Sequence, residues 1–305
     1  MNRVLKDIEM AKKIIKGEEY YNFFGEYSHI YPFTTENIKG YLNEINLFIK
    51  DDDNFLVPCA STDHLLNLVG MGARNIDTFD ISIFPKYYMY LKLAALKELG
   101  FDEFKQYLFC NGKNANIFAE NNYVKLRGTL ENMDQSSLVF WDGLYDFAPG
   151  YKIILSKLFS DGCGKGFRLT NNFYTDESIF NEIKERLDMI NINFYHCDIE
   201  ELPLYIHKKY RCILLSNIND YTPLAYTPYS YGQVFKIFYY DKLIGEDLAK
   251  QLLDDDSYIV CYFYNKKRDG QIKNSNFSYI SIPSAIFTNK PKKRDTVLVY
   301  KKGIM

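Results

Sequence analysis

Residues 55 to 80 constrain the fold more than any other stretch. A short apolar run at 55–57 gives way to the small side chains of Cys59, Ala60, Ser61 and Thr62. Asp63 then opens a segment with helical spacing to about residue 69, and 75–79 reads as a second strand that closes on Asp80. Strand, small-residue loop, helix, strand and acid make the first half of a nucleotide-binding βαβ unit. A loop of small residues lets a ligand come close to backbone N–H groups at a helix start. An acid about 20 residues on, at the tip of the neighbouring strand, accepts hydrogen bonds from ribose hydroxyls. Asp80 stands at that spacing from Cys59, which favours ribose binding over a simple turn or capping role.

The rest of the chain fits an α/β protein. With 305 residues and 47% hydrophobic content, it can bury one large core with a helical annex. Ile8, Ala11, Ile14 and Ile15 recur at helical spacing, and a second helix is expected from Thr35 to about residue 49, capped by Thr34 or Thr35. Residues 1–50 therefore read as a helical extension, and 51–305 as the nucleotide-binding domain. An aromatic and hydroxyl-rich connector, 27–35, joins the two helices and is a candidate lid. Pro85 starts a long helix that Gly100 ends. Residues 101–190 carry helical patterns without a convincing strand, so they read as a helical insertion. Strands return at 192–197, 212–215 and 258–263, with a helix at about 241–253 before the last of these. Two further runs, 278–282 and 296–300, form a hairpin. The expected architecture is a doubly wound, mostly parallel sheet with an antiparallel C-terminal hairpin.

Several classes of function are disfavoured. The net charge is −2, which gives no electrostatic ground for a nucleic-acid partner. No run of about 18 apolar residues is present, so no integral membrane association is expected. The N-terminus is charged and amphipathic, without the apolar core of a signal peptide. None of the six cysteines forms a CxxC pair, and no histidine pair has metal-ligand spacing, so no metal site and no disulfide framework are expected. A reduced, cytoplasmic protein is the expectation. Gly162, Gly164 and Gly166 imitate a glycine-rich phosphate loop but lack the helix and Lys-Ser/Thr that would complete it. The basic runs near Lys266 and Lys290 read as solvated turns that blunt a sheet edge.

Three motifs in series carry a resemblance: Cys59-Ala-Ser-Thr-Asp-His-Leu-Leu-Asn, Ala73-Arg-Asn-Ile-Asp-Thr-Phe-Asp-Ile and Leu91-Lys-Leu-Ala-Ala-Leu-Lys-Glu-Leu-Gly-Phe-Asp-Glu-Phe. Two further stretches follow in order, Tyr123-Val-Lys-Leu-Arg with Phe140-Trp-Asp, and Cys197-Asp-Ile-Glu-Glu-Leu-Pro with Leu215-Ser-Asn-Ile-Asn-Asp-Tyr. Over roughly residues 25–265 the chain resembles the S-adenosylmethionine:diacylglycerol 3-amino-3-carboxypropyltransferases of betaine-lipid synthesis and their bacterial relatives. The resemblance implies a class I methyltransferase-like fold, S-adenosylmethionine as cofactor, and a small-molecule or lipid acceptor. It implies that Cys59, Ala60, Ser61 and Asp63 face the amino-acid end of the cofactor, and that Asp80 with Ile81 holds the ribose. It further implies that Asp198 and Ile199 flank the adenine, and that Ser216, Asn217 and Asp220 line the reaction side. On that side Asn217, Asp220 and Tyr221 are the candidates to position or deprotonate an acceptor hydroxyl or amine. Aminocarboxypropyl transfer is the leading expectation and methyl transfer the alternative. A non-catalytic nucleotide-binding protein of the same fold is a second alternative. That last reading draws on a departure from the family, whose loop carries glycine where this chain has Ala60, Ser61 and Thr62.

Overall fold

The computed structural model describes residues 2–19, 25–108, 117–148, 153, 156–160, 172–217, 241–263, 276–285 and 294–303. Its centre is a seven-stranded sheet in which β1 (Asn54–Pro58), β2 (Asn75–Asp80), β3 (Asn191–His196), β4 (Tyr210–Leu214) and β5 (Leu253–Phe263) are parallel. The hairpin β6 (Phe277–Pro283) and β7 (Arg294–Lys301) closes it, with β7 antiparallel to β5. The spatial order is β3-β2-β1-β4-β5-β7-β6. This is the doubly wound, class I methyltransferase-like sheet that the sequence predicted. Chain order reverses between β1 and β4, which is where such sheets hold ligands, outside the carboxyl ends of the strands.

Strand composition explains why both faces are covered. Phe55 and Val57 pack into one core with Ile76, Cys212, Leu214 and Val260, while Leu56 packs into another with Phe79, Ile213, Ile259 and Cys261. A strand apolar on both faces is stable only between two layers of helices. One layer holds α1 (Asn2–Lys16), α2 (Ile38–Glu44), α3 (Asp63–Gly70) and α4 (Phe84–Glu98). It also holds α5 (Phe101–Leu108), α6 (Glu120–Met133), α7 (Gln135–Phe147) and α8 (Glu177–Arg186), the helices of the 101–190 segment. The other layer holds, among the described residues, the one-turn helices α9 (Leu202–Tyr205) and α10 (Ala249–Leu252), the latter preceded by a π-helical stretch at Asp241–Leu248.

The N-terminal helix is built into this scaffold. Ile8, Ala11 and Ile14 are buried, and Ile8 lies on Gly143 of α7, where an added Cβ would sit 3.0 Å from the isoleucine Cδ1. Asp7 is fully buried and accepts from Tyr87 Oη at 2.7 Å and Tyr27 Oη at 3.0 Å. One boundary differs from expectation. The cap of α2 is Asn37, whose Oδ1 accepts from Gly40 N at 2.9 Å, and the helix stops at Glu44 because Asn46 turns to φ +48°. Thr34 and Thr35 thus lie outside the helix, in the segment that leads over the sheet. Among the described residues no helix is long and apolar enough to cross a membrane.

Candidate functional site

The loop after β1 keeps its tight path without glycine. Cys59 N donates to Phe79 O at 2.8 Å, and Thr62 N donates back to Cys59 O at 2.7 Å. The turn needs left-handed backbone at Ala60 (φ +35°) and Thr62 (φ +71°). Both positions favour glycine, and a side chain there costs of order 1–2 kcal/mol. Ala60 N then donates to Asp80 Oδ2 at 3.1 Å, and Ser82 N to Oδ1 at 2.9 Å. The acid at the tip of β2 is thereby fixed against the loop with a further acceptor position on each oxygen. Burial pushes its pKa up to about 6, although those backbone N–H groups pull the other way. Ala60, Asp80 and Ile81 are each half-buried. His196 Nε2 lies 2.9 Å from Ile81 O and steadies the stretch behind Asp80.

Asp63 has a different place from the one expected. Its carboxylate is fully buried and turned inward, accepting from Lys92 Nζ at 2.5 Å, Tyr174 Oη at 2.8 Å and Thr34 N at 2.5 Å. Lys92 also reaches Ser61 O at 2.8 Å and Pro32 O at 3.0 Å. The carboxylate expected to face the amino-acid end of the cofactor is instead taken up by the protein's own ammonium, and Asp63 is corrected from ligand group to framework. Ser61 and Cys59 are buried with it, and the Cys59 thiol packs 3.8 Å from Met89 Sδ.

The connector forms a fixed roof. Ile30 N donates to Leu158 O at 2.8 Å and Ser160 N to Ile30 O at 2.9 Å, while Ile30 and Phe33 are buried. Residues 34–37 then cross the carboxyl ends of the strands. Thr34 meets α3 through Asp63, and Asn37 N donates to Tyr262 Oη near the end of β5 at 3.2 Å. Asn37 Nδ2 donates to Pro283 O, the last residue of β6, at 2.7 Å. Between these anchors lies Glu36, fully buried. Its Oε2 is 3.1 Å from His64 Nε2 of α3, and its Oε1 accepts from the hydroxyl of Ser216, just past β4. Ser216 adopts φ +53°, and its carbonyl accepts from Tyr262 N at 2.8 Å. Ser216 and Asn217 are half-buried, with Ser216 Oγ 3.2 Å from Asn217 Oδ1.

Of the remaining predicted residues, Asp198 caps the turn after β3, its Oδ1 accepting from Glu200 N at 3.2 Å. Ile199 packs into the core with Leu202 and Phe79. Both stand beside β2 but are occupied in building that turn. Asp220 and Tyr221 lie outside the described residues, as does the glycine-rich stretch 162–166. The sequence reading missed Lys92, Glu36 and the partnership of His64. The signal for Lys92 was present: it is four residues after Tyr88 and four before Leu96, on the apolar stripe of α4. Glu36 carried no such signal, because nothing local distinguishes it from a helix-start acid.

Two buried polar atoms here have no partner among the described residues, Thr62 Oγ1 and His64 Nδ1. An unsatisfied buried group costs about 1–3 kcal/mol. Three non-glycine residues with left-handed backbone, Ala60, Thr62 and Ser216, gather at the same two strand tips. Strain and unpaired polar atoms of this sort concentrate where ligands bind.

No protein-family model matches the chain, and no curated protein sequence matches it. Among solved structures it is similar to the rRNA methyltransferase of Streptomyces viridochromogenes, at 11% identity and a TM-score of 0.41, over 86% of this chain and 81% of that one. It is also similar to an rRNA methylase of Streptococcus thermophilus, at 8% identity and a TM-score of 0.32, over 83% and 89%. A Streptococcus mutans protein solved with S-adenosylhomocysteine shares 10% identity at a TM-score of 0.31, over 86% and 96%. The fold assignment itself rests on the strand order above. One expectation is corrected here. The expectation of no nucleic-acid partner is withdrawn: proteins named for rRNA stand among the similar structures. The physical reason is that a net charge averages the whole surface and does not exclude a local phosphate contact.

Proposed function

We propose that this chain is an S-adenosylmethionine-dependent transferase that moves the 3-amino-3-carboxypropyl group to a hydroxyl or amine. The observation that carries the cofactor reading is Asp80. It is half-buried at the tip of β2, held by Ala60 N, with acceptor capacity left for two ribose hydroxyls. The unpaired Thr62 and His64 atoms at the start of α3 fit a polar ligand beside it. Cys59 and Ser61 support the loop from below, while Ala60 and Ile81 border the ligand. In this reading the cofactor's sulfonium supplies the leaving group when bound. The protein's own residues have to hold the acceptor in line with one carbon next to sulfur, about 3–3.5 Å away. In the same reading Asn217, half-exposed just past β4, orients that acceptor, with Asp220 and Tyr221 following it in sequence.

The choice of aminocarboxypropyl over methyl transfer rests on the resemblance of the 91–104 and 215–221 motifs. The by-product decides it. Aminocarboxypropyl transfer releases methylthioadenosine, whereas methyl transfer releases S-adenosylhomocysteine. Incubation of the protein with S-adenosylmethionine and a clarified cell extract, followed by chromatography of the nucleosides, should yield methylthioadenosine. S-adenosylhomocysteine in its place would keep the cofactor and reverse the group transferred. Calorimetric titration without any heat of binding would reject the transferase reading and leave the non-catalytic one.

A further inference from the structure

We propose that Ser216 and Glu36 form a two-step proton exit for the transfer reaction, with Ser216 as the catalytic residue that receives the acceptor's proton. The inference rests on the transferase reading above and deepens it. Its basis is a property of hydroxyls. Serine has one O–H to donate and two lone pairs to accept with. Ser216 commits its proton to Glu36 Oε1, and the carboxylate outcompetes Asn217 Oδ1, 3.2 Å away, because a charge-assisted bond is the stronger. Toward the half-open side of the site, Ser216 Oγ can therefore only accept. The group it suits is a proton-bearing nucleophile, an alcohol or amine X–H.

The surroundings hold that arrangement in place. Glu36 is fully buried, and its other oxygen is fixed by His64 Nε2 at 3.1 Å. With Glu36 ionised, Nε2 carries the ring proton that bridges them, which leaves Nδ1 as the unpaired atom. The left-handed backbone of Ser216, whose carbonyl accepts from Tyr262 N, holds the hydroxyl against Glu36. Strain of this kind persists only where the surroundings over-determine it.

The reaction balances as follows. The lone pair of X attacks a carbon next to sulfur, the X–C bond forms, and the C–S bond breaks with its electron pair passing to sulfur. The proton on X moves to Ser216 Oγ while the proton of Ser216 moves to Glu36 Oε1. The sulfonium charge disappears and Glu36 ends neutral. The net result is one alkylated acceptor, one thioether and one carboxylic acid, which returns its proton to solvent before the next turnover.

The test uses the full chain, S-adenosylmethionine and a clarified cell extract as acceptor source, with thioether nucleoside release as the rate. Glu36→Gln and Ser216→Ala should each slow release about a hundredfold at saturating cofactor, within the usual range for general-base removal. The double variant should be no slower than either single one, because both remove the same path. Affinity for S-adenosylmethionine should stay within about threefold, since the relay serves the acceptor. In heavy water the wild-type rate should fall, and Ser216→Ala should lose that sensitivity. Near-normal release by Glu36→Gln, losses that multiply in the double variant, or cofactor affinity falling in step with rate would overturn the relay alone. If Glu36→Gln fails to fold, Ser216→Ala carries the test by itself, its side chain being half-exposed. Wild-type protein that binds no S-adenosylmethionine would instead overturn the transferase reading and the relay together. Cofactor binding without any thioether product overturns the relay and leaves the cofactor site standing.

Discussion

Lys92 Nζ lies 2.5 Å from Asp63 Oδ1 with both side chains fully buried, so the helix after the second strand clamps the start of the helix after the first. Burial lowers the Lys92 pKa while Asp63 opposes that shift. The same ammonium reaches Pro32 O, which brings the roof into the clamp. Removing one partner strands the other. Lys92→Met should destabilise the protein by about 3–5 kcal/mol in urea denaturation, and pairing it with Asp63→Leu should recover a large part. Equal stability of Lys92→Met and wild type would mean that the pair is not closed in solution.

Asp80 makes stability and binding respond to pH in opposite directions. Its folded pKa is raised from 3.8 to about 6, so the native state holds that proton more tightly than the unfolded chain. Ligand-free stability should therefore fall as pH rises through that window, by on the order of 2 kcal/mol after solvent screening. Affinity for S-adenosylmethionine should rise over the same window, because ribose hydroxyls donate best to the ionised carboxylate. Titrations at about pH 5 and about pH 7.5 measure it, and Asp80→Ala should weaken binding by about 1–3 kcal/mol and flatten the profile. A pH-independent affinity in wild type would place the ribose elsewhere.

Ala60 provides a gain-of-stability test. At φ +35° it sits where glycine is at ease. Ala60→Gly should raise the melting free energy by up to about 1 kcal/mol without weakening cofactor binding. A destabilised variant would show that the loop relaxes to ordinary backbone angles in solution.

The connector 27–35 was expected to act as a lid, yet Ile30 and Thr34 donate their amides to Leu158 O and Asp63 Oδ2. Hydrogen exchange at those two amides should be slow with and without ligand, as for groups that open only in larger unfolding events. Fast exchange in the free protein that slows on adding S-adenosylmethionine would restore the lid.

The central strands β1 and β4 were legible as apolar runs buried on both faces and the others by their apolar and aromatic residues, and the ends fell within two residues of expectation for six of the seven. β5 was the exception: it begins at Leu253, which pairs with Tyr210, and the polar residues 254–257 form an irregularity before the register resumes at Tyr258. The loop and Asp80 were legible from order and spacing. Asp63 was misread because its exposure depends on Lys92, 29 residues away, and no local rule pairs the two. Glu36 was missed for the same reason on a larger scale, its partner Ser216 being 180 residues distant. Asp198 caps the turn after β3, a use that the sequence around it shares with any turn acid.

Asn37 bonds to Tyr262 and Pro283, partners 225 and 246 residues further along. The loop after β1 is built from neighbours in sequence, whereas the roof over it locks only once β5 and β6 are in place. Contacts of such span are slow to form. The segment that carries Glu36 is thus held by the part of the sheet most remote from it in sequence. A fragment that ends before β6 lacks the Pro283 anchor that holds Asn37, and with it Glu36, over the βαβ unit.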